Sequence, residues 1–464
     1  MNEDTICALS TGVGQAAVAI IRVSGPNARE IAGKSVRLNK KGLQLPSVQS
    51  NTLHVGGFFA DGELLDNIVV SVFHAPHSFT GDDVVEINCH GSAYVKKRIL
   101  ETLVANGARM ARPGEFTQRA FLNGKMDLIQ AEAIADLIAA TTHASQRLAM
   151  NQMRGGFSAD IATLRARLLN FISLLELELD FSEEDVNFAN RNELKTLVGE
   201  IHSTVTRLLR SFALGNVIKS GVPVAIIGET NVGKSTLLNA LVNDDRAIVS
   251  DIHGTTRDVI EDVINIHDVT FRFFDTAGLR ETIDVIEKMG IERTYTTLRV
   301  ANIVLLVIDT TNPLPLVLWR INKIRELVQP WQHLIIIANK IDIGNARTIG
   351  LLRSVMLGAR EEIMFLSANN QDSLEMLKNR MCEIVAMEAV NQNETIVANA
   401  RHRDALQRAS DALTRVEAGM EQQVSGEFLT RDIRCCLDAL GEITGEITND
   451  EVLGNIFAKF CIGK

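Results

Sequence analysis

Aromatic residues are scarce in this chain: two Trp, two Tyr and 18 Phe among 464 residues, 5% in all. That scarcity argues against stacking platforms for single-stranded nucleic acid. An excess of basic charge is also missing, with 47 Lys and Arg against 57 Asp and Glu, a formal net charge of −10. A protein that clamps nucleic acid with its whole surface is basic, so any such contact here must be a local patch or be shared with a partner. The six cysteines (Cys7, Cys89, Cys382, Cys435, Cys436 and Cys461) include no C-x-x-C pair. Neither a zinc ribbon nor a disulfide framework is spelled out, and reduced thiols of a cytosolic protein are expected. Long apolar runs are absent too. Ile303 to Ile308 is strand length, far short of a bilayer span. The acidic start, Met1-Asn2-Glu3-Asp4, has neither a signal core nor an Arg-rich transit character. These features lead us to expect a soluble, cytoplasmic chain with no membrane segment.

What is present is ordinary globular composition, 46% hydrophobic and 22% charged, which excludes collagen-like and disordered classes. The length suggests about three domains. Residues 1–118 read as mixed α and β. Ala16–Val23 is an apolar strand, Ser24-Gly-Pro-Asn27 opens a helix with a capping residue, and short strands follow at Asn67–Phe73 and Val84–Asn88. From 119 to 214 the period changes. Ile161, Leu164, Leu168, Ile172, Leu175 and Leu179 step by three or four, as do Leu194, Leu197, Ile201, Val205, Leu208 and Phe212. Such spacing predicts an antiparallel helical bundle that stops near Leu214-Gly-Asn. Residues 215–380 alternate short β-branched strands with helices, the pattern of a largely parallel sheet. From 381 to 464 helical spacing resumes, with Leu406, Leu413 and Met420 interleaved with Ala409 and Val416, and a capping box at Thr448–Glu451 opens a last helix. The simplest arrangement inserts the α/β segment into a helical domain whose halves flank it; three domains in series is the alternative.

The strongest chemical signal is Gly228-Glu-Thr-Asn-Val-Gly-Lys-Ser235, a G-x-x-x-x-G-K-S phosphate loop between the strand ending Ile227 and the helix continuing through Thr236. The glycines let backbone N–H groups at Asn231, Val232 and Gly233 curl around phosphate oxygens, Lys234 reaches the outer phosphates, and the Ser235 hydroxyl ligates Mg²⁺. Asp275-Thr276-Ala277-Gly278 ends a strand as D-x-x-G, placing Asp275 by the magnesium and the Gly278 N–H at the γ-phosphate. Asn339-Lys340-Ile-Asp342 follows the strand Leu334–Ile337. A carboxylate at Asp342 can accept both guanine N1–H and N2–H, whereas adenine would leave it unpaired. Ser367-Ala368 can offer a backbone N–H to guanine O6. Four motifs in this order on strand ends predict a GTPase with a Ras-like P-loop fold. Thr256 is the natural residue to close over Mg²⁺ and the γ-phosphate. Leu279 stands where Ras has its water-orienting glutamine and cannot do that work. Asn231, with carbonyls from Ser250, Asp251, Ile252, His253 and Gly254, can instead hold a monovalent cation against the phosphates.

The runs Asn-x-Gly-Lys-Ser, Asp251-Ile-x-Gly-Thr-Thr-Arg-Asp258 and Asp275-Thr-Ala-Gly-Leu-Arg280 resemble those of the MnmE (TrmE) family of tRNA-modification GTPases. So do Ser78-Phe-Thr-Gly-Asp-Asp-Val-Val-Glu86, Phe121–Ile138 and Cys461-Ile-Gly-Lys464, so the resemblance spans nearly the whole chain. It implies an N-terminal α+β domain that binds 5-formyltetrahydrofolate or methylenetetrahydrofolate and forms a homodimer. It further implies an FAD-dependent partner, MnmG (GidA), joined in a heterotetramer that modifies C5 of the wobble uridine in certain tRNAs. By motif position, Arg22, Glu86, Lys125 and Lys464 are its folate contacts. Arg22 and Lys125 suit the glutamate carboxylates, and Glu86 suits pterin N–H groups. The resemblance also gives Glu287 the water-orienting role, and K⁺ to Asn231, Ser250, Ile252 and Thr255. Cys461 matches the family's cysteine, of unstated chemistry. Three positions depart from the family pattern: Glu229-Thr230 replaces a basic residue and proline, and His253 replaces a small residue. The competing reading is an RNA-binding switch of the Era kind, but such proteins carry a basic domain where this chain is acidic and helical.

Overall fold

In the computed structural model the described residues are 4–12, 14–180, 191–244, 261–274, 298–388, 395–448, 450–458, 460 and 462–463. They form two compact units: one of residues 1–139, 149–202 and 405–464, the other of 140–148 and 203–404. The first unit is thus assembled from stretches on both sides of the second in the chain.

The first unit contains a seven-stranded sheet. Its strands are β1 (Ile6–Leu9), β2 (Ala16–Ser24), β3 (Val36–Leu38), β4 (Thr52–Ala60), β5 (Glu63–Phe73), β6 (Val84–Gly91) and β7 (Arg109–Met110), in the order β3-β4-β5-β6-β2-β1-β7. All neighbours are antiparallel except β1 and β7. Alternation along the strands sends Ile21, Val23, Val85, Ile87, Val70 and Val72 to one face, where helices Ala28–Gly33 and Ala93–Ala105 bury them with Ile31, Ile99 and Leu103. Asn27 stands at the N-cap of the first of these helices but makes no side-chain cap bond; its backbone N–H donates to Thr5 Oγ1 instead. The expected capping at this site is therefore absent.

Helices of the same unit come from both ends of the chain. Gly156–Asp180 packs against Gly426–Thr444, and Arg165 Nε donates to Leu437 O at 3.3 Å. Ile161, Leu164, Leu168, Ile172 and Leu175 are all buried, as the spacing predicts. In helix Arg191–Ser220, whose residues from 203 onward belong to the second unit, the buried stripe is Leu194, Val198, Ile201, Val205 and Leu208. Leu197 is only half-buried because a four-residue step from Leu194 keeps Val198 on the buried face. That helix does not end at Leu214 but continues to Ser220. Gly215 lies inside it for a steric reason: a Cβ there would sit 2.1 Å from Val397 O. Of the expected capping box before helix Asp450–Phe457, Asn449 lies outside the described residues.

The second unit holds a six-stranded sheet, β8 (Val222–Ile227), β9 (Glu261–Ile266), β10 (Val269–Phe274), β11 (Ile303–Asp309), β12 (His333–Asn339) and β13 (Glu361–Phe365), in the order β13-β12-β11-β8-β10-β9. Only the edge strand β9 is antiparallel. In β11, residues 303, 305 and 307 enter one apolar core and 304, 306 and 308 another. Burial on both faces explains the unbroken apolar run, the mark of a parallel strand covered by helices on each side. Strand β8 lies between β10 and β11, where the order of strands reverses. The carboxyl end of β8 therefore opens into the crevice in which doubly wound sheets bind ligands.

Candidate functional site

The phosphate loop leaves β8 at this crevice and enters helix Lys234–Asp244. Asn231 and Gly233 take left-handed φ values of 65° and 104°, so the loop folds back on itself and its N–H groups can converge. A Cβ on Gly233 would meet Asn339 Nδ2 at 2.3 Å, and with the left-handed φ this favours glycine there. Val232 is buried, Ser235 half-buried, and Asn231 and Thr236 are exposed. Lys234 Nζ reaches back over the loop to Gly228 O at 2.6 Å and Glu229 O at 2.5 Å.

The Asn339-Lys340 pair braces this loop from the end of β12. Asn339 is buried; its Nδ2 donates to Val232 O at 2.8 Å, and its Oδ1 accepts from Ala368 N at 3.0 Å. One amide side chain thus holds the phosphate loop and the segment after β13 together. The Ala368 N–H, expected to face a guanine oxygen, is bonded to Asn339 here. Ser367 and Ala368 are both buried, while Asp342 is exposed. Lys340, at φ 61°, donates to Asn231 O at 2.9 Å and to Asp309 Oδ2 at 2.6 Å. Burial pushes the Asp309 carboxyl upward, but the bonds from Lys340 and Thr311 outweigh it and hold the group below the usual carboxylate range. Ser250, Asp251, Ile252, His253, Gly254, Thr255, Thr256, Asp275, Thr276, Ala277, Gly278, Leu279 and Glu287 lie outside the described residues, as do Cys461 and Lys464.

A second cluster occupies the other face of the N-terminal sheet. Arg22 on β2 and Glu86 on β6 are directly opposed in register and ion-paired at 2.8 Å. The Arg22 guanidinium sits 5.0 Å from the Phe79 ring centroid and 5.6 Å from that of Phe116, within cation–π range. Lys125 Nζ donates to Pro76 O at 2.9 Å, and Asn123 Nδ2 to Thr80 O at 2.8 Å, so both tether the loop that carries Phe79. Gly463 packs so closely on β1 that a Cβ would lie 2.1 Å from Leu9 O, and its carbonyl accepts from Ser10 Oγ at 3.2 Å. Leu9 pairs with Ile21, the neighbour of Arg22. Gly463 thus lies beside β1, the strand that pairs with the one carrying Arg22. Arg22 and Glu86, assigned above to opposite ends of a folate, are paired with each other here.

The chain matches the family model described as "GTP-binding protein TrmE N-terminus" over residues 5–125 and the one described as "MnmE helical domain" over residues 128–461. It is 52% identical over 467 residues to the tRNA modification GTPase MnmE of Bacteroides fragilis, covering 100% of both chains. The chain belongs to the MnmE family. The MnmE of Bacteroides thetaiotaomicron is 51% identical over 470 residues, again with 100% of each chain covered. Among solved structures, the G domain of the T. maritima FeoB iron transporter aligns with 36% of this chain and 98% of its own, at 26% identity and a TM-score of 0.26. A superposition that low adds nothing to the fold description, which rests on the strand order above.

Several residues that shape these MnmE sites were not singled out from sequence. Asp309 is the polar terminus of an otherwise apolar parallel strand, and a carboxylate at that end of a strand is a legible signal of a site. Phe116, above Arg22, gave no such sign: its sequence context is an ordinary amphipathic helix.

Proposed function

We propose that this MnmE-family GTPase binds GTP in the crevice at the carboxyl end of β8 and hydrolyses it to drive modification of tRNA. The observation that carries the reading is the Asn339 side chain, which ties the phosphate loop to the segment after β13 and so joins the two halves of a guanine-nucleotide pocket. In this reading residues 215–380 are a Ras-like G domain inserted between helical halves 119–214 and 381–464, with an N-terminal domain at 1–118. Asp342, exposed beside Lys340, is available to guanine. Ser235, at the start of helix Lys234–Asp244, is suitably placed on the loop to ligate Mg²⁺ with Thr256. Asn231 and carbonyls of residues 250–255 hold K⁺, and Glu287 orients the attacking water.

The Arg22–Glu86 pair under Phe79 and Phe116 offers a charged donor, a carboxylate acceptor and two ring faces, a set that fits the N–H groups and flat ring of a pterin. Folate supplies the one-carbon unit, and Lys125 and Lys464 take its carboxylates. The protein works as a cytoplasmic homodimer, joined by the FAD-dependent MnmG in a heterotetramer, on C5 of the wobble uridine. Thermal unfolding with added nucleotide tests the central point. GTP should raise the midpoint and ATP should not, and Asp342→Asn should erase the difference. Equal protection by ATP in the unmodified chain removes the guanine assignment.

A further inference from the structure

Glu229, the second residue of the phosphate loop, pairs through its carboxylate with Arg320 on helix Leu314–Arg325. The Arg320 side chain is 13% exposed, and its Nε and Nη1 have no hydrogen-bond partner among the described residues. A guanidinium so far removed from water needs a counter-charge, and Glu229 supplies it. The carbonyl of the same residue accepts from Lys234 Nζ. Glu229 therefore touches the phosphate-seeking lysine through its main chain and a desolvated arginine through its side chain.

A carboxylate within a phosphate loop is otherwise a liability, since it repels the anion that the loop is built to hold. We propose that Arg320 is a positioning residue for nucleotide binding. Through Glu229 it anchors the first limb of the loop and cancels the one negative side chain there, leaving Lys234 and the backbone N–H groups to set the local field. The clasp depends on the acidic residue that this chain carries at position 229. The inference rests on the reading that residues 228–235 hold the phosphates.

The test is calorimetric titration of the full chain with GTP, GDP and GMP. Arg320→Met leaves Glu229 unpaired, and GTP affinity should fall about tenfold, the size of one partly screened charge. The loss should shrink from GTP to GDP to GMP, because it follows the charge of the phosphates. Glu229→Gln alone should tighten GTP a few-fold, and the double variant should return close to the unmodified chain. Equal losses for all three nucleotides, or a double variant no better than Arg320→Met, would mean that Arg320 only packs, and would overturn the proposal. If Arg320→Met does not fold, Glu229→Gln still decides it: GTP affinity that does not tighten, or that tightens equally for GMP, overturns the proposal. Lys234→Ala separates the two levels. Unaltered GTP binding in that variant sinks the phosphate-loop reading itself, whereas lost binding beside a flat Arg320 response sinks only the clasp.

Discussion

The Lys340 ammonium lies 2.9 Å from the Asn231 carbonyl oxygen, joining positions 109 residues apart across the crevice. It also lies 2.6 Å from Asp309, so one cation braces the left-handed turn of the phosphate loop and provides the counter-charge of a buried carboxylate. Lys340→Met should loosen the loop and leave Asp309 without its counter-charge. The side chain is partly exposed, so we expect a loss of about 1–3 kcal/mol, the range for bonds to charged groups. Urea unfolding would measure it, and an unchanged midpoint would show that the bridge contributes little.

Acid should unsettle the N-terminal sheet through Glu115. This carboxylate is fully buried and bonded to Arg109, Arg119 and the Arg112 N–H. Burial raises its pKa, but those bonds outweigh burial and hold it at about 2, against an ordinary 4.5. A depressed carboxylate stabilises the fold fully above the ordinary value, and that contribution fades as pH falls from 4.5 toward 2. On the order of 3 kcal/mol is at stake. Stability followed from pH 7 to 2 should fall more gently over the window from 4.5 to 2 in Glu115→Gln, from a lower starting value.

GTP turnover should depend on the monovalent cation. Leu279 cannot orient water, so charge developing at the β–γ bridge needs a stabiliser, whose loss typically costs about 10²–10³ in rate. Phosphate release should be fast in KCl and slow in NaCl. Asn231→Ala should abolish the difference. Equal rates in the two salts for the unmodified chain would take the cation out of the mechanism.

Folate affinity should reside in the Arg22 cluster. Arg22→Met keeps the aliphatic stem beneath Phe79 and Phe116 but strands Glu86 without its partner. Binding of 5-formyltetrahydrofolate should weaken about tenfold, as expected when a partly buried charged bond is lost. Lys125→Ala should have a smaller effect, because that side chain is exposed and bonded to Pro76 O. Calorimetry showing unaltered affinity in both variants would move the folate site elsewhere.

Much of this molecule was legible because its signals are local. The phosphate loop and Asn339-Lys340 are contiguous runs, and the two-sided burial of β11 is written as an unbroken apolar stretch. Pairings made by tertiary structure left no such trace. Nothing near Glu229 in sequence points to Arg320, 91 positions away, and nothing near Arg22 points to Phe116. Gly215 misled for a physical reason: a glycine in a helix reads as a stop, yet here its missing side chain makes room for the Val397 backbone. Leu197 and Val198 show the same limit on a smaller scale, since adjacent apolar residues leave the exact phase of a helix open until its neighbours choose.

The contact between Ser10 and Gly463 closes a span of 453 residues. On the ribosome, β1 and β2 emerge early, but this partner follows only after the whole six-stranded sheet of the second unit has been made. The N-terminal cluster is thus completed last, whatever the order in which its strands pair. A chain halted or clipped upstream of Gly463 keeps every strand of that sheet and still lacks its final neighbour.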